Sequence, residues 1–227
     1  MKYLIIIPSY NEENSIVEVA NEIKHNYDYV IINDASTDNT LDICDKNHLN
    51  AIHLSNNLGI GGAMQTGFKY ALSNNYDYCV QFDGDGQHIS SEIHKLIAKI
   101  EEEGADLVVG SRYLEEEGYK SSSMRKFGSK FFSLLIRMLT GQNITDPTSG
   151  FRIINRRTMQ AFAENYPTDY PEPESLVFLA KNGFKIGEVG VRMQERKNSK
   201  SSITAIKAIY YMFKVTIGCI LAIGDRI

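Results

Sequence analysis

Short apolar runs and segments of helical periodicity alternate along the first half of the chain. Residues 4–7 form a continuous apolar run closed by Pro8, the pattern of a strand buried on both faces of a parallel sheet. Residues 29–32, 79–82 and 107–109 repeat it. Between them, Ile16, Val19, Ala20 and Ile23, and later Ile93, Leu96, Ile97 and Ile100, recur at the steps of three and four expected of an amphipathic helix. Strand and helix in alternation predict an α/β fold with a mostly parallel sheet flanked by helices. Polar clusters at 9–14, 33–39 and 83–88 follow three of the predicted strands. In open α/β sheets the ligand crevice lies outside the carboxyl ends of the strands, so these clusters are expected to meet there.

The second half is less regular. Residues 122–140 predict a helix in which Arg125, Ser129, Ser133 and Arg137 recur every four residues, opposite Phe127, Phe131, Leu134, Leu135 and Met138. Pro167, Pro171 and Pro173 mark a loop, followed by a helix over 176–181 and a strand around 184–189. Residues 203–223 are apolar but interrupted by Lys207 and Lys214, which leaves no uncharged stretch near the ~20 residues of a spanning helix. Thr204, Lys207, Tyr211, Lys214 and Gly218 fall on one stripe, so a helix lying in a membrane interface is expected. Packing of either amphipathic helix against the core or a partner subunit stays open. These elements divide the chain into a main domain over 1–202 and a C-terminal amphipathic helix over 203–227, associated with a membrane or a partner.

Composition narrows the function. Twenty-four basic against 28 acidic residues leave a net charge of -4, which excludes a uniform field for nucleic acid, so any basic site must be local. Cys44, Cys79 and Cys219 are odd in number, far apart and set among apolar neighbours, and read as reduced core thiols in a cytosolic protein. The first eight residues lack the apolar length and cleavage site of a signal peptide.

The strongest chemical signal is Asp83-Gly84-Asp85-Gly86-Gln87 at a predicted strand end. Asp83, Asp85 and the amide oxygen of Gln87 can point at one hard cation, Mg²⁺ or Mn²⁺, which would bridge a diphosphate. A Gly/Asp turn without a ligand is the plain alternative. After the second strand, Thr37 or Asp38 can cap the next helix, which leaves Asp34 to accept hydrogen bonds from a nucleotide base, as Glu12 can from ribose hydroxyls. Residues 59–62 read as a turn and close-packing element, and His88 as a supporting or surface histidine beside the metal cluster.

Seven stretches in order, PSYNEE (8–13), NDASTD (33–38), NLGIGG (57–62), DGDGQ (83–87), GSRY (110–113), DPTSGFR (146–152) and RKNSK (196–200), resemble the inverting nucleotide-diphospho-sugar transferases of glycosyltransferase family 2, closest to the dolichyl-phosphate mannose synthase group. The resemblance implies a GT-A type, Rossmann-like fold. It implies that Pro8, Tyr10, Glu12 and Asp34 hold the nucleoside, and that Asp83, Asp85 and Gln87 form the metal and diphosphate site. Arg112, Ser149 and Arg152 resemble the family's acceptor-side phosphate contacts. Arg196, Ser199 and Lys200 resemble the loop that closes over the donor, with Asn198 where the family often has glycine.

Attack by a sugar hydroxyl needs a positioned base, whereas a phosphate monoester, with a second pKa of ~6, is already largely ionised at neutral pH. Asp146 is the candidate base, with Glu172 and Glu174 as stand-ins; as a residue before Pro147, Asp146 equally suits a turn. The arginines near it and the two amphipathic helices favour an anionic lipid. The expected function is therefore transfer of a hexose or N-acetylhexosamine from a nucleotide diphosphate sugar, UDP slightly favoured, to a polyprenyl phosphate at the cytoplasmic membrane face, with inversion. Transfer to a glycan hydroxyl, a nucleotidyltransferase and a catalytically silent, nucleotide-sugar-binding regulatory subunit are the alternatives, and a membrane-protein partner or a second copy of the chain stays open.

Overall fold

The structure, a computed structural model, describes residues 1–115, 123–194 and 205–225. β1 (Tyr3–Ser9), α1 (Ile16–Ile23), β2 (Asp28–Asn33), α2 (Thr40–Lys46), β3 (Ala51–His53), α3 (Gly59–Ser73), β4 (Tyr78–Gln81), α4 (Ile93–Glu103) and β5 (Leu107–Ser111) follow in strict alternation. Then come α5 (Ser123–Thr140), β6 (Arg152–Asn155), α6 (Arg156–Glu164), α7 (Pro171–Lys181), β7 (Ile186–Gly190) and α8 (Ala205–Leu221). The strands form one sheet in the order β3-β2-β1-β4-β6-β5-β7. All neighbours are parallel except β6, which runs antiparallel to both β4 and β5. The fold is thus the α/β, mostly parallel sheet flanked by helices that the sequence predicts.

Side chains of a strand alternate between faces, and β1 shows why helices cover both sides. Leu4 and Ile6 enter a core with α3, α5, α6, α7 and α8, while Ile5 and Ile7 enter a second core with α1 and α4; all four are at most 1% exposed. Covering such a side chain is worth roughly 1.5–3 kcal/mol relative to leaving it in water, so neither layer is dispensable. α8 belongs to the first core through Val215, Cys219 and Ala222. The three cysteines are free and buried, and burial pushes the Cys44 thiol up to about 11 and that of Cys219 to about 12, which keeps them protonated and inert.

Several elements depart from the sequence expectations. β3 and β6 were not expected: three and four residues give too short a run to show a period. Pro171 and Pro173 do not belong to a loop but open α7, where the missing proline N–H groups cost nothing because first-turn donors have no helical partner. Residues 59–62 form the first turn of α3. α5 is turned differently from its predicted amphipathicity: Ser129, Phe132 and Ile136 face inward, while Phe127, Leu134 and Met138 are exposed. Ser129 and Ser133 donate to the carbonyls of Thr145 and Ile144. Thr204 and the side chains of Arg125 and Lys207 lie outside the described residues.

Gly61 permits the approach of α3 to the loop before α7. Its N–H donates to Thr168 O at 3.1 Å, and a Cβ there would stand 2.0 Å from Pro167 O and 2.6 Å from Thr168 Cα, both backbone atoms. Gly61→Ala is expected to destabilise the protein by about 1–3 kcal/mol or more, read as a fall in denaturant midpoint; an unchanged midpoint would show that the two segments separate freely.

Candidate active site

The carboxyl ends of β1, β2 and β4 open on a cleft of about 270 Å³. Pro8, Ser9, Tyr10 and Glu12 line it from the first strand and Asp34 from the second. Backbone polar groups here are held across loops: Asp34 N donates to Ser9 O, and Asn11, with φ at 58°, accepts from Thr37 N at 2.8 Å through its side-chain oxygen. Asp38 accepts from Thr40 N at the start of α2 and from Glu13 N, and these hydrogen bonds hold its carboxyl below the ordinary range against the opposing, largest effect of burial. Asp34 is buried and accepts from Leu58 N at 2.7 Å. The Ser9 hydroxyl lies buried at the same wall and, among the described residues, has no hydrogen-bond partner. A buried orphan hydroxyl costs free energy, and at a cleft it suits a ligand that supplies the missing partner.

The floor is the acidic tip of β4, where Asp83, Gly84 and Asp85 line the cleft with Gln81. Ser15 ties this tip to α1 by donating to Gly84 O at 2.7 Å. His88 is buried and is a support, as expected. Its Nδ1 accepts from Asp83 N at 3.0 Å, so its proton sits on Nε2, 3.6 Å from Asp83 Oδ2. Burial, opposed by the charges of Asp83 and Asp85, lowers its pKa and keeps the ring neutral. Gly150 leaves room beside Asp83, since a Cβ there would come within 3.3 Å of both its carboxylate oxygens. Gln87 does not line the cleft, and its N–H donates to Asp85 Oδ1 at 2.9 Å. Among the described residues no group of three or more His, Cys, Asp or Glu converges on one point. Two carboxylates on an open cleft nevertheless fit Mg²⁺ or Mn²⁺ bound together with phosphate oxygens and water.

The far wall corrects the expected acceptor contacts. Asp146 is fully buried, and both its oxygens are committed: Oδ2 accepts from Arg112 N and Nε at 3.0 and 2.6 Å, and Oδ1 from Arg112 Nη2 at 2.7 Å and from Thr148. It is a clamp for Arg112 and not a free base. Ser149 is buried and donates to Gly110 O. Arg152, 3% exposed, gives its guanidinium to Ser149 O, Ser175 Oγ and Pro147 O, so it stiffens the wall from inside instead of meeting an acceptor. Burial lowers its pKa, partly offset by Tyr166, Glu172 and Asp146. Arg196, Ser199 and Lys200 lie outside the described residues. The segment just before them is pinned to the acidic tip by Gln194 N donating to Gln87 O and by a bridge between His88 and Met193.

Glu172, on the first turn of α7, faces Asp83 and Asp85 across the cleft. Burial raises its pKa, and the nearby Arg152 opposes that shift. Ser9, Gln81, Ile60 and Ala63 also line the cleft and were not singled out in the sequence. Gln81 had a signal, a polar residue breaking an apolar run; the others had none.

A family model for glycosyl transferase family 2 matches residues 4–162. The chain is 32% identical to the UDP-N-acetylglucosamine–dolichyl-phosphate N-acetylglucosaminyltransferase of Methanococcus voltae, over 98% of this chain and 92% of that protein. It is 29% identical to the polyprenol monophosphomannose synthase of Mycolicibacterium smegmatis, over 93% and 84%. Its fold is similar to that of glucosyl-3-phosphoglycerate synthase from Mycobacterium tuberculosis in complex with Mn²⁺, uridine diphosphate and phosphoglyceric acid, with a TM-score of 0.72 over 98% of this chain and 78% of that one at 16% identity.

The environment of Glu172 makes a pH prediction. Its folded pKa lies above the unfolded value, so between the two the folded state binds more protons, and stability rises as pH falls through the raised value. Glu172→Gln should therefore melt higher than the parent at neutral pH, with the difference closing on acidification towards the ordinary carboxylate range. Equal melting temperatures at neutral pH would contradict the half-buried, charge-penalised environment.

Proposed function

The chain belongs to glycosyl transferase family 2, and on that premise we propose that it is an inverting, metal-dependent hexosyltransferase. It moves a hexose or N-acetylhexosamine from a nucleotide diphosphate sugar, with UDP favoured, to a polyprenyl phosphate at the cytoplasmic membrane face. The observation that carries this reading is the opening of Asp83 and Asp85 on one cleft with Tyr10, Glu12 and Asp34. Pro8, Tyr10, Glu12 and Asp34 form the nucleoside end, and the Ser9 hydroxyl, without a partner among the described residues, adds a hydrogen-bonding group there. Asp83 and Asp85, with Gln87 nearby, would hold a Mg²⁺ or Mn²⁺, which would supply charge neutralisation for the leaving diphosphate. His88 holds Asp83 in place by its backbone and ring contacts. Arg196, Ser199 and Lys200, outside the described residues, are assigned to closure over the diphosphate.

The commitment of Asp146 to Arg112 supports a phosphate acceptor, because the residue expected to act as base has no oxygen to spare. Arg112, held rigidly by that pair, presents positive charge towards His88 and Glu172. The named activities of the two relatives, transfer to dolichyl phosphate and polyprenol phosphomannose synthesis, support the same acceptor class. Among the described residues no helix is long and apolar enough to cross a membrane, and the exposed Phe213, Ile217 and Ile220 of α8 support a peripheral attachment.

A second reading, transfer to a glycan hydroxyl, is favoured by one observation, the carboxyl of Glu172 in the cleft. Glu172→Gln separates the two. With a phosphate acceptor no base is needed, and turnover of labelled donor into lipid-linked sugar should change by less than about tenfold; loss of ~10²–10⁴ would install Glu172 as the base. Asp85→Ala should abolish donor turnover while the circular dichroism spectrum and melting temperature stay close to the parent's. Undiminished turnover in that variant would refute the metal assignment.

A further inference from the structure

Beside the exposed side of α5 lies a groove of about 510 Å³ that shares no lining residue with the catalytic cleft. Lys126, Lys130, Ser133 and Arg137 line it from α5, and Tyr113 and Asn143 from the adjoining loops. The cations stand at steps of four and seven, one stripe running ~16 Å along the helix axis. Among the described residues none of the three has a carboxylate partner, although eight other Lys, Arg or His side chains do. On a chain of net charge -4 that is a local positive stripe in an acidic whole.

A row of solvated lysines would need no ligand. Here, however, the cation stripe is flanked on the helix by a stripe of Phe127, Leu134 and Met138, which are 64%, 58% and 74% exposed. Large apolar side chains left in water beside cations are costly on an ordinary surface but suit the boundary of a bilayer, where the apolar groups enter the acyl region and the long cationic stems reach back to headgroup level. A nucleic acid would use the cations and leave the apolar groups wet. The Ser133 hydroxyl is already spent on Ile144 O, so Lys126, Lys130 and Arg137 supply the free charge at the groove.

We propose that this groove binds the phosphate headgroup of an anionic bilayer phospholipid, a site separate from the sugar-transfer cleft, and so fixes α5 in the membrane interface. It rests on the membrane-surface part of the reading above and not on the transfer reaction. The test uses the full chain and flotation with vesicles of phosphatidylcholine alone or mixed with phosphatidylglycerol. The parent should prefer the anionic vesicles. A triple variant, Lys126→Gln, Lys130→Gln and Arg137→Gln, should lose on the order of 100-fold of that affinity, at about fivefold per cation, while binding to phosphatidylcholine and the melting temperature stay as in the parent. KM and kcat with a short-chain polyprenyl phosphate in detergent should be unchanged. Equal binding of parent and variant to anionic vesicles would overturn the proposal, as would a parent indifferent to phosphatidylglycerol. A raised KM for the short-chain acceptor would assign the groove to the acceptor instead. If the parent transfers no sugar at all, the transfer reading falls and the flotation result still decides the groove.

Discussion

β1 has no polar face. Leu4 and Ile6 sink into one core and Ile5 and Ile7 into the other, and a strand of that kind is stable only between two layers of helices. Covering both faces requires crossover connections, and the crossovers bring the carboxyl ends of β1, β2 and β4 to one edge of the sheet. The backbone groups of those ends run out of ladder partners there, so side chains take over: Asn11 receives Thr37 N, Asp34 receives Leu58 N and His88 receives Asp83 N. The polar cleft is the consequence of an apolar sheet that must stop somewhere.

Charge in the cleft is arranged in two styles. On the far wall the groups are tied to one another in a chain. Glu188 receives the N–H groups of Thr145 and Asp146, Asp146 grips Arg112, and Arg152 spans the carbonyls of Pro147 and Ser149 and the hydroxyl of Ser175 on α7. A buried charge is tolerable only with such partners, and the same bonds hold the wall still. On the floor, Asp83 and Asp85 line the open cleft, where a cation and a diphosphate can meet their carboxylates. A wall tied to itself thus stands opposite an acidic floor that opens on the cleft, so that the one can supply orientation and the other charge compensation to a bound ligand.

The local signals in the sequence were reliable where one short stretch holds all the information. The apolar runs became β1, β2, β4 and β5, the three polar clusters met at one edge, and the acidic motif opened on a cleft with Tyr10, Glu12 and Asp34. Signals that depended on a distant partner misled. Asp146 carries the same side chain whether it is a base or a clamp, and Arg112, 34 residues away, makes it a clamp. Arg152 suits a phosphate by its chemistry, yet its place in β6, between β4 and β5, buries it. The heptad-like spacing of α5 offers two opposite faces, and packing against α7 and α8 chose the one with Phe132 and Ile136.

The sequence by itself determined the layered α/β architecture, the edge at which its polar strand-end clusters meet and the acidic residues that open on the cleft there, because periodicity and strand-end motifs act over a few neighbouring residues. Only the tertiary structure decided which ionisable groups are consumed by each other, which proline-bearing segment becomes a helix and which side of α5 meets solvent. Those outcomes are settled by competition among partners far apart in the chain for the same hydrogen bonds and the same buried volume, and no single stretch of sequence records who wins.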